Sequence, residues 1–209
     1  MFVITADQVG SRTASDRVDS ALATITAHRQ DLLSLPPERT AGDELQCLTA
    51  DAGAALGIVC DLARAGGWSI GMGIGTVRTP LGATTRASTG AAFIAAREAV
   101  ERARRSPGPR LGVVVEGSDR LSQDLEGLIA VTLLLRERRT IAGWAVADLL
   151  AQGLTQREIA ERIGITPQAV SQRTLAAGVR SERQAVPALI RLLRDADRRA
   201  SAETGRIGS

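Results

Sequence analysis

The sequence predicts an α+β protein in two parts: a ferredoxin-like βαββαβ sheet, then an all-α domain carrying a helix-turn-helix. Three observations predict this. Short β-branched runs alternate with helical patterns as far as residue 139, in the order β-α-β-β-α-β-α-β. After Thr140 no strand pattern remains, and Gly153, Gly164 and Gly178 divide the rest into short helices. Within that region the stretch from Thr155 to Thr174 places caps, a glycine break and apolar positions in helix-turn-helix order. The expected domains are 1–139 and 140–200, with 201–209 as a disordered tail.

The elements of the first domain follow in order. Residues 1–6 (MFVITA) form a buried strand, and 7–11 a loop. Ser15 or Asp16 caps a helix to about Leu33, which Pro36 and Pro37 break. Residues 40–49 read as a hairpin with Gly42, Asp43 and Glu44 at its centre. Asp51 caps a helix to Arg64, and Gly66 and Gly67 turn the chain into a strand over 68–75. Glycines alternate with apolar residues in that strand, so something packs very close to it. Ser88 or Thr89 caps a helix to Arg105, residues 111–115 form a further strand, and Ser118 caps a long helix to about Arg139. This order predicts helices on one face of the sheet rather than a doubly wound fold.

In the second domain, helices are expected over 141–151, 155–163 and 166–177. Thr155 caps a helix whose apolar face is Ile159, Ala160 and Ile163, and Gly164 ends it. Thr166 caps the next, with Pro167 at the first helical position, where a missing N–H loses nothing. Val170 points back at the first helix, and Leu175 carries the packing one turn later. The outward residues are then Gln168, Ala169, Ser171, Gln172 and Arg173, with Thr166 near a phosphate. Short and amide side chains with one arginine suit base edges in a major groove, so double-stranded DNA is the expected partner. A closing helix over 182–200 has Val186, Leu189, Ile190 and Leu193 at helical spacing, for packing on the tri-helix or a partner chain.

Composition excludes several chemistries. All 26 basic residues are arginine. With no lysine there is no Gly-Lys-Ser/Thr phosphate loop and no lysine Schiff base. The single histidine, His28, makes a histidine triad or zinc site a poor expectation. Cys47 and Cys60 lack metal or redox spacing and read as core residues. No apolar run is long enough to span a bilayer and no signal peptide is seen, so a cytoplasmic protein is expected. The formal net charge of +3 is modest for a DNA binder, which points to a homodimer with two half-sites.

Two acidic positions form the second candidate site. Asp7 ends the first strand, while Asp43 and Glu44 sit at the hairpin tip. In a ferredoxin-like sheet these strands are neighbours. Asp7 and Asp43 can then converge on one Mg²⁺ or Mn²⁺, with the Gln8 carbonyl as a third ligand and Arg12 as the nearest counter-charge. The competing reading is that the aspartates only favour turns.

Four segments at these residues, 5–12 (TADQVGSR), 40–46 (TAGDELQ), 71–75 (GMGIG) and 90–98 (GAAFIAARE), together resemble the SatD family. The likeness covers residues 1–115, and such proteins tend to carry a C-terminal DNA-binding-like helical tail. The same segments are remotely similar to the palm of class III nucleotide cyclases and diguanylate cyclases. That resemblance implies a cyclase-like palm, places Asp7 and Asp43 on metal positions, and makes Glu44 the hairpin's second acid. It also implies a nucleotide ligand bound with Mg²⁺ or Mn²⁺. The family's transition-state Asn falls on Phe93, four residues before Arg97, and its purine-reading lysine has no counterpart. The expectation is a DNA-binding regulator whose first domain senses a ligand or dimerises, rather than an ordinary enzyme. The alternative is a metal-dependent nucleotidyl cyclase or nucleotidyltransferase with a regulatory tail.

Overall fold

The computed structural model describes residues 1–207 except Arg12 and Pro107, with backbone alone for 203–207. The chain divides into two compact units, 1–130 with 189–209, and 131–188. The division falls earlier than residue 139, and the end of the chain belongs with the first unit rather than with the helix-turn-helix.

The first unit is built on one five-stranded sheet. Its strands are β1 (Phe2–Gln8), β2 (Leu33–Ala41), β3 (Glu44–Thr49), β4 (Trp68–Ile74) and β5 (Leu111–Val115), in the order β2-β3-β1-β4-β5. All neighbours are antiparallel except β4 and β5. The helices are α1 (Val18–Arg29), α2 (Ala52–Ala65), α3 (Ala91–Arg105) and the start of α4 (Asp119–Glu137). The order of elements expected from the sequence is the order found.

The expectation of helices on one sheet face is corrected. On β4 and β5, Gly71, Gly73 and Gly112 lie directly under α3: a Cβ on Gly73 would stand 2.1 Å from the Ala92 carbonyl oxygen. The alternate residues Ile70, Met72 and Ile74 therefore face the opposite side, since strand side chains alternate. They are equally buried there, and α2, which packs on β1 and β4, covers them. The glycine run is thus the seat of one helix, and helices lie on both faces.

The expected helix to Leu33 is also corrected. The helix stops at Arg29, a short 3₁₀ turn follows (Gln30–Leu32), and Pro36 and Pro37 lie inside β2. β2 is an edge strand with irregular register, where a missing N–H leaves no ladder bond open. At the other edge, Ser122 and Glu126 of α4 accept from the Val115 and Val113 amides, both at 2.9 Å, and so cover β5.

The second unit holds the end of α4, then α5 (Ile141–Ala151), α6 (Gln156–Ile163), α7 (Pro167–Ala176) and the start of α8 (Val179–Ile207). The closing helix is longer than expected. It runs through 201–207, expected to be a disordered tail, while Gly208 and Ser209 lie outside the described residues. Its Leu189, Leu193, Ala196 and Ala200 are buried within the first unit, not on the tri-helix. There Arg194 lies 3.8 Å from Asp51, and Asp197 meets the amino group of Met1.

Candidate nucleic-acid interface

The core under α5, α6 and α7 is small and contiguous: Val146, Ala147, Leu150, Ile159, Ala160, Val170, Ala177 and Val179. Ala160 permits close approach of α6 and α7, while Ile159 and Val170 are fully buried. Leu175 does not carry the packing assigned to it. It is 76% exposed, and Ala177 and Val179 beyond the helix end close the core instead. Thr174 turns its hydroxyl back onto the Val170 carbonyl at 2.8 Å, which lets a polar residue occupy that half-buried position.

Local chemistry fixes the ends. Thr155 and Glu158 form a reciprocal capping box, with the Thr155 amide donating to the Glu158 carboxylate at 2.7 Å. That backbone hydrogen bond, then the one from the Thr155 hydroxyl, holds the Glu158 carboxyl below its ordinary range. Gly164 ends α6 at φ 68°, ψ 38°, a left-handed conformation that a side chain would strain. Thr166 then accepts from the Ala169 amide at 3.1 Å, and Pro167 opens α7.

The residues expected to face DNA are placed on one exposed side of that frame. Thr166, Gln168, Ser171 and Gln172 are exposed, and Ala169 and Arg173 are half-buried. Among the described residues, the side chains of Gln168, Ser171, Gln172 and Arg173 make no hydrogen bond or ion pair. The amides and the guanidinium are therefore free to bind something else.

The acidic positions behave differently. Asp7 pairs in register with Glu44 on one side and Ser69 on the other, so all three point to the α3 face. Asp7 and Asp43 line one cavity of about 420 Å³. Each acid already has a partner. Arg104, in the last turn of α3, grips Asp7 through two contacts of 3.1 and 3.0 Å. Asp43 accepts from Ser11 at 2.6 Å, and Glu44 from Thr40 at 2.5 Å. Partial burial works to lower the pKa of Arg104, but Asp7, Glu101 and Glu44 prevail and raise it. Among the described residues, no three His, Cys, Asp or Glu side chains gather as a metal site. A divalent cation here would have to displace partners that these acids already hold. Arg12, the counter-charge expected from sequence, lies outside the described residues. Nothing in the sequence links Arg104 to Asp7, because 97 residues separate them and no local pattern joins them.

Gln8 contributes its side chain as well as its carbonyl. Its side chain is almost fully buried and holds the following loop, donating to the Ser15 carbonyl at 2.7 Å and accepting from the Arg17 amide at 2.9 Å.

Residues 147–174 match the helix-turn-helix family. The matched segment is a helix-turn-helix, a DNA-binding motif, and it takes in α6, the turn after it and α7 as far as Thr174. No SatD or cyclase family match is found for the first unit. No curated protein and no solved structure matches the chain. No described helix is long and apolar enough to cross a membrane.

Proposed function

We propose that this chain is a transcriptional regulator that binds double-stranded DNA through α7 and works in the cytoplasm as a two-fold dimer. The observation that carries the reading is the uncommitted polar face of α7 on a fully capped helix-turn-helix. Gln168, Ser171, Gln172 and Arg173 supply donors and acceptors for base edges. Thr166 and the α7 N-terminus suit a phosphate, where backbone amides and the helix dipole favour an anion. One such motif buries little surface, so a second copy supplies the second half-site. Val131 and Leu134, nearly one turn apart on α4 and 66% and 45% exposed, support self-association.

For the sheet unit we propose a sensing or dimerising role. The order β2-β3-β1-β4, with β1 central and antiparallel to both neighbours, supports the ferredoxin-like, cyclase-like reading and the SatD resemblance. A nucleotide is the ligand class that reading implies. The enzyme alternative, with Mg²⁺ or Mn²⁺ on Asp7, Asp43 and Glu44, would require Arg104 to release Asp7.

Selection of duplexes from a random library by the purified protein tests DNA binding. Enrichment of a two-fold symmetric site is the expected result, and no enrichment would overturn the regulator. On the selected duplex, Arg173→Ala should lower affinity by about 1–3 kcal/mol if Arg173 reads a guanine. Unchanged affinity for both selected and random duplexes rejects that role. Light scattering should report a dimer at micromolar concentration; a monomer that binds one chain per site would contradict it.

A further inference from the structure

Outside the matched segment, the second unit contains a buried cationic clamp. Arg139 lies between α4 and the cap of α5, and its side chain is 2% exposed. Its Nε donates to the Ala177 carbonyl at 2.7 Å, at the C-terminal cap of α7. Its Nη2 donates to Glu182 on α8, and its guanidinium lies 4.8 Å from the Trp144 ring centre on α5. Arg136 on α4 braces the other Glu182 oxygen at 2.5 Å and lies 5.0 Å from the same ring. Arg136 is the less completely satisfied of the two, since its buried Nε has no hydrogen-bond partner. Just beyond the end of α4, Arg139 thus ties three helices, α5, α7 and α8, together.

The clamp bears on the tilt of α7. That helix fully buries only Val170, so its ends contribute much of what sets its angle. The cap at Thr166 fixes the front. At the back, terminal carbonyls lack intrahelical partners and favour a cation, and Arg139 supplies both needs. Gly178, at φ 64°, brings the chain tightly past Leu135 and leaves the helix end one seat. Lysine cannot reproduce this, because only the planar fork of arginine meets a carbonyl, a carboxylate and a ring together.

We infer that Arg139 is a positioning residue for DNA selectivity: it touches no DNA, and with Glu182 it fixes the angle at which α7 presents Gln168, Ser171, Gln172 and Arg173. A ten-residue helix is about 15 Å long, so a small error in tilt moves its far side chains by more than an ångström. Base-edge hydrogen bonds do not tolerate that shift, whereas phosphate contacts adjust. The inference rests on the DNA-binding reading.

The test uses the full-length protein, a duplex it has selected and a random duplex of equal length. Arg139→Lys and Glu182→Gln should each weaken the selected duplex roughly tenfold and the random one less than about twofold, with the salt slopes of the parent. Far-UV circular dichroism should match the parent. Unchanged selectivity overturns the inference. So does an equal loss on both duplexes with a shallower salt slope, which would make Arg139 a phosphate contact. Loss of helix in both variants would make the clamp a stability device and would also overturn it. If the parent selects no duplex, the regulator reading fails first and takes this inference with it.

Discussion

The two units treat their polar side chains in opposite ways. In the helix-turn-helix unit, the helix ends are capped by neighbouring residues, as in the Thr155–Glu158 box and the Thr166 cap, and the outward face of α7 is left without partners. In the sheet unit, the acids that looked available are taken: Asp7 by Arg104, Asp43 by Ser11, Glu44 by Thr40. A free polar face on a rigid frame is poised to bind. A partnered acidic cluster first has to give up interactions it already makes. That difference favours DNA recognition over metal chemistry.

The backbone of the sheet unit offers the largest effect by which to probe this comparison. Gly73→Val places a Cβ within 2.1 Å of the Ala92 oxygen and 2.3 Å of the Ala96 nitrogen, both backbone atoms of α3. Neither can yield as a flexible side chain would. The expected loss is about 3 kcal/mol or more, read as a lower urea midpoint. A change under about 0.5 kcal/mol would mean that α3 does not sit on β4 as described.

The same comparison explains which parts of the molecule could be read from sequence. Caps and breaks at Asp51, Thr155, Gly164 and Thr166 were readable because each acts over three or four residues. The alternating glycines of β4 signalled close approach, but nothing in them said that a single helix would occupy that face while another covered the reverse. Pro36 and Pro37 misled for a physical reason: an edge strand admits prolines that a helix or central strand rejects. Leu175 misled because periodicity cannot tell that the chain turns at Gly178 and returns Ala177 and Val179 to the core. The pairs Asp7–Arg104 and Arg139–Glu182 are long-range and carry no sequence signal.

A smaller effect sharpens the acidic half of the comparison. Asp7→Asn removes the charge that Arg104 grips. Arg104 is 37% exposed, so solvent screening limits the loss to roughly 0.5 kcal/mol. Mn²⁺ alone should leave the melting temperature of the parent protein unchanged, because Arg104 already supplies the countercharge a cation would bring. A Mn²⁺-dependent rise in the parent that Asp7→Asn abolishes would restore the metal reading and separate Asp7 from its arginine.

The most gradual effect concerns the clamp and acid. Burial works to raise the pKa of the Glu182 carboxyl, but Arg139 and Arg136 outweigh it, and the group titrates below its ordinary value of 4.5. A carboxyl depressed in the folded state stabilises it fully above the unfolded value, and that contribution is lost as pH falls through the folded one. The clamp should therefore be at full strength and insensitive to pH from neutrality to about pH 5, and should weaken only below that. Urea midpoints of the parent and Glu182→Gln at several pH values isolate this group from Asp16 and Glu158, whose carboxyls are also depressed. The difference between the two proteins should stay constant down to about pH 5 and shrink as the medium is made more acid. A difference that instead widens toward low pH would mean Glu182 is held protonated in the fold, and Arg139 would then face a neutral acid that cannot anchor it.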